Sequence, residues 1–477
     1  MSATELAGLV RSKKISPVEV AEASIERMEL LDPVLHAYCT PTPDLMRAQA
    51  KAVEKKIMDG DEVGPTAGVP VGIKDLVVMK DYPTVSGSVA YQDYISEDDD
   101  IVVERLKGSD SLILGKTNVP EFGFSGVGHN PVFETTRNPW NTDLTPGGSS
   151  AGSVVSTITG MTPYAIASDG GGSIRIPASL SGAYGLKASM GRVPLWPGTK
   201  DERYPGVSSW EDLEHIGPVA RTVEDAALMM SVIGSGPDSR DRMSLPGPEF
   251  DWLECIKGDI KGCKVAFSPD WGYAAVDPQV REVVAAAVKV FETDLGCTVE
   301  VGNPGWDDPG ADFFAAVIGG SDLKGLREMV DKHGHEMTPH LVELIMYPWT
   351  AEDLTNAQMT RKAVNSKMWR FMELYDFLLT PTLAVPAFPV HMQGPEKIDG
   401  KIGSPFSWLA FTFPLNFTGQ PAASIPAGFT DDGLPVGLQI IGKHLDDPMV
   451  LRASACFEAA QPWIDRMPPI LAEMIPG

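Results

Sequence analysis

What the chain lacks narrows its function first. Cysteine is scarce: five residues in 477, Cys39, Cys255, Cys263, Cys297 and Cys456, odd in number and without a C-x-x-C pair. That pattern excludes a disulfide framework and suits reduced thiols, so the expected location is cytoplasmic. The opening Met1-Ser2-Ala3-Thr4-Glu5 carries no basic segment followed by an apolar one, and no secretory leader is expected. No apolar run is long enough to cross a bilayer, so no membrane partner is expected. Positive charge is in deficit as well. With 39 Lys and Arg against 64 Asp and Glu the net charge is −25, which repels phosphate and excludes nucleic acid as a main partner. Metal-ligand spacing is missing too. His333, His335 and His340 lie loosely around Glu336, and Glu97-Asp98-Asp99-Asp100 reads as a solvated loop ending in a helix N-cap. Neither metal nor cofactor is expected.

There is ample material for a large core, since 43% of the residues are hydrophobic. The first sixty residues read as helices, with Ser16-Pro17-Val18-Glu19 as a capping box. From Val69 onward, short apolar runs alternate with helical stretches. Val69–Ile73, Ser111–Gly115, Thr162–Ser168, Phe377–Leu379 and Leu434–Ile441 read as strands, and Lys264–Phe267 is a further apolar run in a more polar region. Helices are expected near Ile101–Lys107, Asp277–Leu295 and from Thr350, where Asp353 supports a cap. Strands alternating with helices predict an α/β fold, a sheet covered on both faces. No repeat, low-complexity linker or composition break divides the chain, which reads as one domain over residues 1–477. Within it, 1–60 are N-terminal helices, 61–235 the core, 310–375 a helical cover and 376–477 the end of the core.

Two glycine-flanked serine loops stand out: Gly147-Gly148-Ser149-Ser150-Ala151-Gly152-Ser153 and Asp169-Gly170-Gly171-Gly172-Ser173-Ile174-Arg175. Glycine lets the backbone turn sharply and approach a ligand, and successive N–H groups in such a turn form an anion-binding concavity. Acyl transfer needs that feature to stabilise its oxyanion. The pair reads as a serine hydrolase site.

The remaining question is the base. A G-x-S-x-G string occurs around Ser150, but a nucleophile elbow follows a hydrophobic strand, and here the preceding Asn138–Pro146 is loop chemistry. His129 is the nearest histidine to the serines, and it reads better as a pocket residue than as a triad base. Ser321-Asp322-Leu323-Lys324 matches S-x-x-K without companion motifs. Lys74 is the better candidate. It ends an apolar strand, Val71-Gly72-Ile73-Lys74, where α/β sheets place their ligands. Alternation turns Asp75 to the opposite face, so no neighbouring carboxylate holds the lysine charged. A neutral lysine needs its pKa lowered from about 10.4 to near 7, which burial achieves at ~4 kcal/mol against the charged form.

Together, Gly72-Ile73-Lys74-Asp75, Gly115-Lys116-Thr117-Asn118 with Glu121-Phe122, Pro146–Ser150, Asp169–Arg175 and Gly185-Leu186-Lys187 resemble the amidase signature family. Ile216–Thr222, Leu379–Thr382 and Gly433–Gln439 resemble further blocks, so the likeness runs nearly end to end. The resemblance implies an α/β/α fold around a mixed, twisted sheet. It also implies a Ser-Ser-Lys triad: Ser173 the nucleophile, Ser149 the bridging serine on a cis peptide, and Lys74 the base. The N–H groups of Gly170, Gly171, Gly172 and Ser173 would form the oxyanion hole. Ser150, Asp169 and Arg175 would support it, each reading equally well as a structural residue. The chain departs from the family's usual pattern at Ala151, where glycine is commoner, and at Gly170, where isoleucine or threonine is. The expected partner is a small-molecule amide, carbamate or ester, a weaker likeness pointing to aryl-acylamidase and urethanase branches; homo-oligomerisation is compatible with this. The competing readings are a non-catalytic binding protein and one component of a glutamine-dependent tRNA amidotransferase. Met329, Met337, Met346, Met359, Met368 and Met372 are candidates for an adaptable apolar wall or for core packing.

Overall fold

Each apolar run expected to be a strand forms one, and others complete the set. In the computed structural model, which describes residues 1–198, 203 and 210–475, the strands are β1 (Tyr38–Pro41), β2 (Pro70–Lys74), β3 (Leu112–Thr117), β4 (Tyr164–Asp169), β5 (Tyr184–Lys187), β6 (His215–Ala220), β7 (Lys264–Phe267), β8 (Thr298–Val301), β9 (Phe377–Pro381), β10 (Lys397–Ile398), β11 (Lys401–Ile402), β12 (Ala422–Phe429) and β13 (Pro435–Gly442). Eleven of them make one sheet in the order β1-β3-β2-β4-β6-β5-β12-β13-β9-β7-β8, and β10 pairs with β11 as a separate hairpin.

The sheet is mixed. β2 runs parallel to β3 and β4, and β7 parallel to β8 and β9, while β6, β5, β12 and β13 pair antiparallel between these blocks. Strands β2, β3 and β4 are buried along their whole length, as expected for a sheet covered by helices on both faces. Each fully buried Val, Ile or Leu in them contributes roughly 1.5–3 kcal/mol of burial. Proline made some strands hard to read. Pro426 sits where β12 shifts register against β13, a bulge position that tolerates a missing N–H.

The N-terminal sixty residues are helical with one interruption, β1, which edges the sheet beside β3. The Ser16 and Thr350 capping boxes both form, and Asp100 caps its helix through the Val102 N–H. From Gly310 the chain runs through a short helix, a π-helical turn (Ala315–Gly319) and the helices Leu323–His333, Pro339–Met346 and Ala351–Met372. A second apolar cluster, including Phe313, Leu326, Leu341 and Phe413, lies beneath this segment, apart from the main core.

Candidate active site

Parallel pairing of β2 with β4 brings their C-terminal ends to one edge of the sheet, with Ile73 opposite Ile166. Lys74 ends β2 and Asp169 ends β4, so the two loops that follow open side by side. The first serine loop arrives from a different direction, just before the helix Ala151–Ile158. Its Gly148–Ser149 peptide is cis. A Cβ at Gly148 would lie 2.3 Å from the Val127 carbonyl oxygen, so only glycine fits there.

Lys74 is completely buried, and its Nζ donates to Ser149 Oγ at 2.8 Å, Ser168 Oγ at 3.0 Å and the Ser168 carbonyl at 3.1 Å. Among the described residues no carboxylate touches it. Burial pushes its pKa down to about 7, against the attraction of the Glu214 and Asp169 charges. Asp75 does turn away, as alternation required, and pairs with the fully buried Lys116 at 2.8 Å. That pair is closed by the N–H groups of Val85 and Ser86 on Asp75 and by Thr84 Oγ1 on Lys116.

The two serine loops are stitched together. Ser150 donates its N–H to the Ser173 carbonyl at 3.3 Å and its hydroxyl to the Ser168 carbonyl, the oxygen that also takes Lys74. Behind them, Arg175 grips Asp169 with two hydrogen bonds, Nε to Oδ2 at 2.9 Å and Nη2 to Oδ1 at 2.8 Å, both side chains fully buried. Burial alone would raise the Asp169 carboxyl; the guanidinium overrides it and holds the group well below the carboxylate range. Arg175 also reaches Gln439, Asn416 and the Thr412 carbonyl, and Asn416 returns to Asp169. Asp169 therefore stays ionised without contacting Lys74.

One expectation is corrected here. The Gly172 N–H donates to Asp169 Oδ1 at 2.8 Å, so it braces the turn and does not face a ligand. Gly170 is buried and does not line the cavity. Gly171 and Ser173 do line it, and among the described residues no protein group accepts their N–H groups. Burial of Asp169 is the cause, because its carboxylate must find donors within its own loop.

The cavity has a volume of about 830 Å³ and opens over Gly171 and Ser173. Phe124, Phe313, Phe314, Phe406, Phe413 and Trp349 wall it. None of the candidate methionines does. Met329, Met337, Met368 and Met372 are core residues, while Met346 and Met359 are exposed. Helical periodicity identifies an apolar face but not whether that face meets a cavity or a core. Asp308, Asp312, Glu343 and Asp353 stand around the cavity, and no Lys or Arg lines it among the described residues. Glu121, buried, ties the helical segment to the core by accepting the Ser88 hydroxyl and the Thr338 N–H, each at 2.7 Å.

The histidines take other roles. His129 Nε2 lies 3.0 Å from Gln393 Nε2, and His340 lines the cavity, where burial pushes it down to about 4. His333 and His335 lie beside Glu336 on the outer surface. Ser321 donates its hydroxyl to the Val317 carbonyl, and the Lys324 ammonium is exposed beside Glu328. Sequence reasoning missed Ser168, Thr412, Asn416 and Gln439, single polar residues in apolar segments with no local motif to mark them.

A buried lysine on hydroxyls, a glycine-rich serine turn and a largely aromatic cavity thus stand together at the ends of β2 and β4. The amidase family profile matches residues 19–451. An acylamidase of Rhodococcus erythropolis is 37% identical over 477 residues, covering 98% of this chain and 97% of its own. The crystal structure of a bacterial aryl acylamidase of the amidase signature family superimposes with a TM-score of 0.90 at 34% identity, over 97% of this chain and 96% of the other. A glutamyl-tRNA(Gln) amidotransferase chain of Geobacillus kaustophilus (strain HTA426) is 33% identical, with 98% of both chains covered. This chain belongs to the amidase signature family and is a hydrolase of carbon–nitrogen bonds in linear amides. Among the described residues no helix is long and apolar enough to cross a membrane.

Proposed function

We propose that the chain cleaves its amide through an acyl-enzyme on Ser173, with Lys74 as base and Ser149 as relay. The observation that carries this is the contact of Lys74 Nζ with Ser149 Oγ at 2.8 Å, on a lysine that burial biases toward the neutral form. Ser149 passes its hydroxyl proton to Lys74 and takes the proton of Ser173. Ser173 Oγ attacks the carbonyl carbon, and the negative oxygen settles on the N–H groups of Gly171 and Ser173. The ammonium of Lys74 then returns its proton through Ser149 to the leaving nitrogen, the C–N bond breaks and the amine departs. Water attacks the acyl-enzyme by the same relay and frees the acid. Asp169, Arg175 and Ser150 hold the two loops in register and touch no reacting atom.

The aromatic chamber supports a bulky apolar or aryl substrate, in keeping with the acylamidase relatives. Carbamates and esters fit the same chemistry, a carbamate ending in carbon dioxide. Five free thiols fit a cytoplasmic setting. The acylamidase likeness and the acidic surface support stand-alone hydrolysis over the amidotransferase reading.

A fluorophosphonate probe tests the assignment. It should add one adduct per chain, mapped to Ser173 and absent from Ser173→Ala; an adduct elsewhere or none at all contradicts it. Rates on primary amides, anilides, carbamates and esters then rank the substrate class, with anilides expected first.

A further inference from the structure

The peptide between Gly171 and Gly172 is pinned at both ends. Its N–H donates to Asp169 Oδ1 at 2.8 Å, and its carbonyl accepts the Thr412 hydroxyl at 2.8 Å. Asp169 belongs to the same turn, whereas Thr412 comes from a distant segment of the chain. Thr412 is fully buried, and its own carbonyl accepts Arg175 Nη1 at 2.9 Å, so the hydroxyl is delivered from a fixed support. A second acceptor, the Leu409 carbonyl, lies 3.1 Å from the hydroxyl. The hydroxyl has a single proton to give, and the Gly171 oxygen is the nearer of the two acceptors. Contact is close. A Cβ on Gly172, whose φ is +130°, would lie 2.4 Å from Thr412 Oγ1.

We propose that Thr412 is a positioning residue for the oxyanion hole. Holding the Gly171–Gly172 peptide with its N–H turned toward Asp169 leaves the two flanking peptides facing the cavity. Those peptides carry the N–H groups of Gly171 and Ser173. Glycine torsions on either side would otherwise let the middle peptide rotate, because nothing but backbone sterics restrains them. With the hydroxyl gone, only Asp169 holds the plane and the two donors lose their common aim. This inference rests on Ser173 being the nucleophile and on those two N–H groups receiving the oxyanion.

Misplacing a donor by about 1 Å lowers rates by ~100-fold in other enzymes. Thr412→Val and Thr412→Ala should therefore lower kcat on an anilide by roughly 10- to 100-fold with KM within about twofold. Thr412→Ser, which keeps the hydroxyl, should restore kcat to within about threefold of wild type. The rising limb of the pH profile should keep its midpoint in all three, since Lys74 is untouched. Circular dichroism and thermal midpoints select the folded variants to compare, and the two truncations are alternatives for that purpose. Unchanged kcat in a folded truncation overturns the proposal, as does a Ser variant as slow as Val or a loss confined to KM. Turnover by Ser173→Ala at the wild-type rate overturns the underlying reading instead, so the two failures are distinguishable.

Discussion

Around Lys74, each named contact is a hydrogen bond between buried groups, drawn from the ends of β2 and β4 and from the serine loop before the helix Ala151–Ile158. Across the cavity, from Phe313 to Trp349, the wall is made of rings and short helices. The first region is over-determined: Asp169 alone receives Arg175 twice, Asn416, and the N–H groups of Gly172 and Ile174. The second is held mainly by apolar contact, with Glu121 as a polar tie. The difference divides the labour. Chemistry needs donors fixed within fractions of an ångström, whereas substrate choice needs only a surface of the right size and polarity. Substitutions in the first region should act on kcat or on folding, and those in the second on KM.

Ser173→Ala should break the comparison most severely. Loss of the nucleophile is expected to lower kcat on an anilide by ~10⁴-fold or more while the thermal midpoint stays near wild type. Asp169→Asn comes next. It leaves the Arg175 guanidinium buried without its carboxylate, a loss of about 3–5 kcal/mol in unfolding free energy, read from a denaturant midpoint. An unshifted midpoint would show that the network is ornamental to the fold. Phe314→Ala tests the other region. Phe314 lines the cavity with its ring 4.9 Å from that of Phe406, and losing it should raise KM for an aryl amide roughly 5- to 20-fold with kcat within about twofold. A kcat loss without a KM change would place that ring in the chemistry. The smallest effect belongs to Met359→Ala, exposed and off the cavity, which should leave kcat, KM and stability within error of wild type.

The same division explains what could be read from sequence. Lys74, Ser149 and Ser173 stood out as candidates because each sits in a contiguous string whose glycines and strand end announce tight backbone geometry. Thr412, Asn416 and Gln439 were not. They join Arg175 from segments 237 to 264 residues away, and one polar residue in an apolar run carries no local mark of its partner. The proposed oxyanion set could be placed in a loop but not donor by donor, because the Gly171–Gly172 peptide is bonded by Asp169 and Thr412 together. In the cover, helices and caps followed from periodicity and the Thr350 box. Which apolar residues met the cavity did not: phenylalanines line it, and of the six candidate methionines four took the other role open to them, core packing. Strands β5, β6 and β12 escaped notice for a simpler reason: each carries glycine, proline or both within a short buried run.

The proposed mechanism needs a lysine that works in its neutral form, and the pH dependence of kcat/KM on an anilide tests it most directly. Burial lowers the Lys74 pKa to about 7, so the base is protonated and idle below that pH and free above it. The profile should rise with pH through a midpoint near 7 and then level. In Lys74→Met, both the rise and most of the rate should vanish while the fold persists. A wild-type profile already flat from pH 5 to 8, or a Lys74→Met enzyme that keeps the same rising limb, would contradict the account.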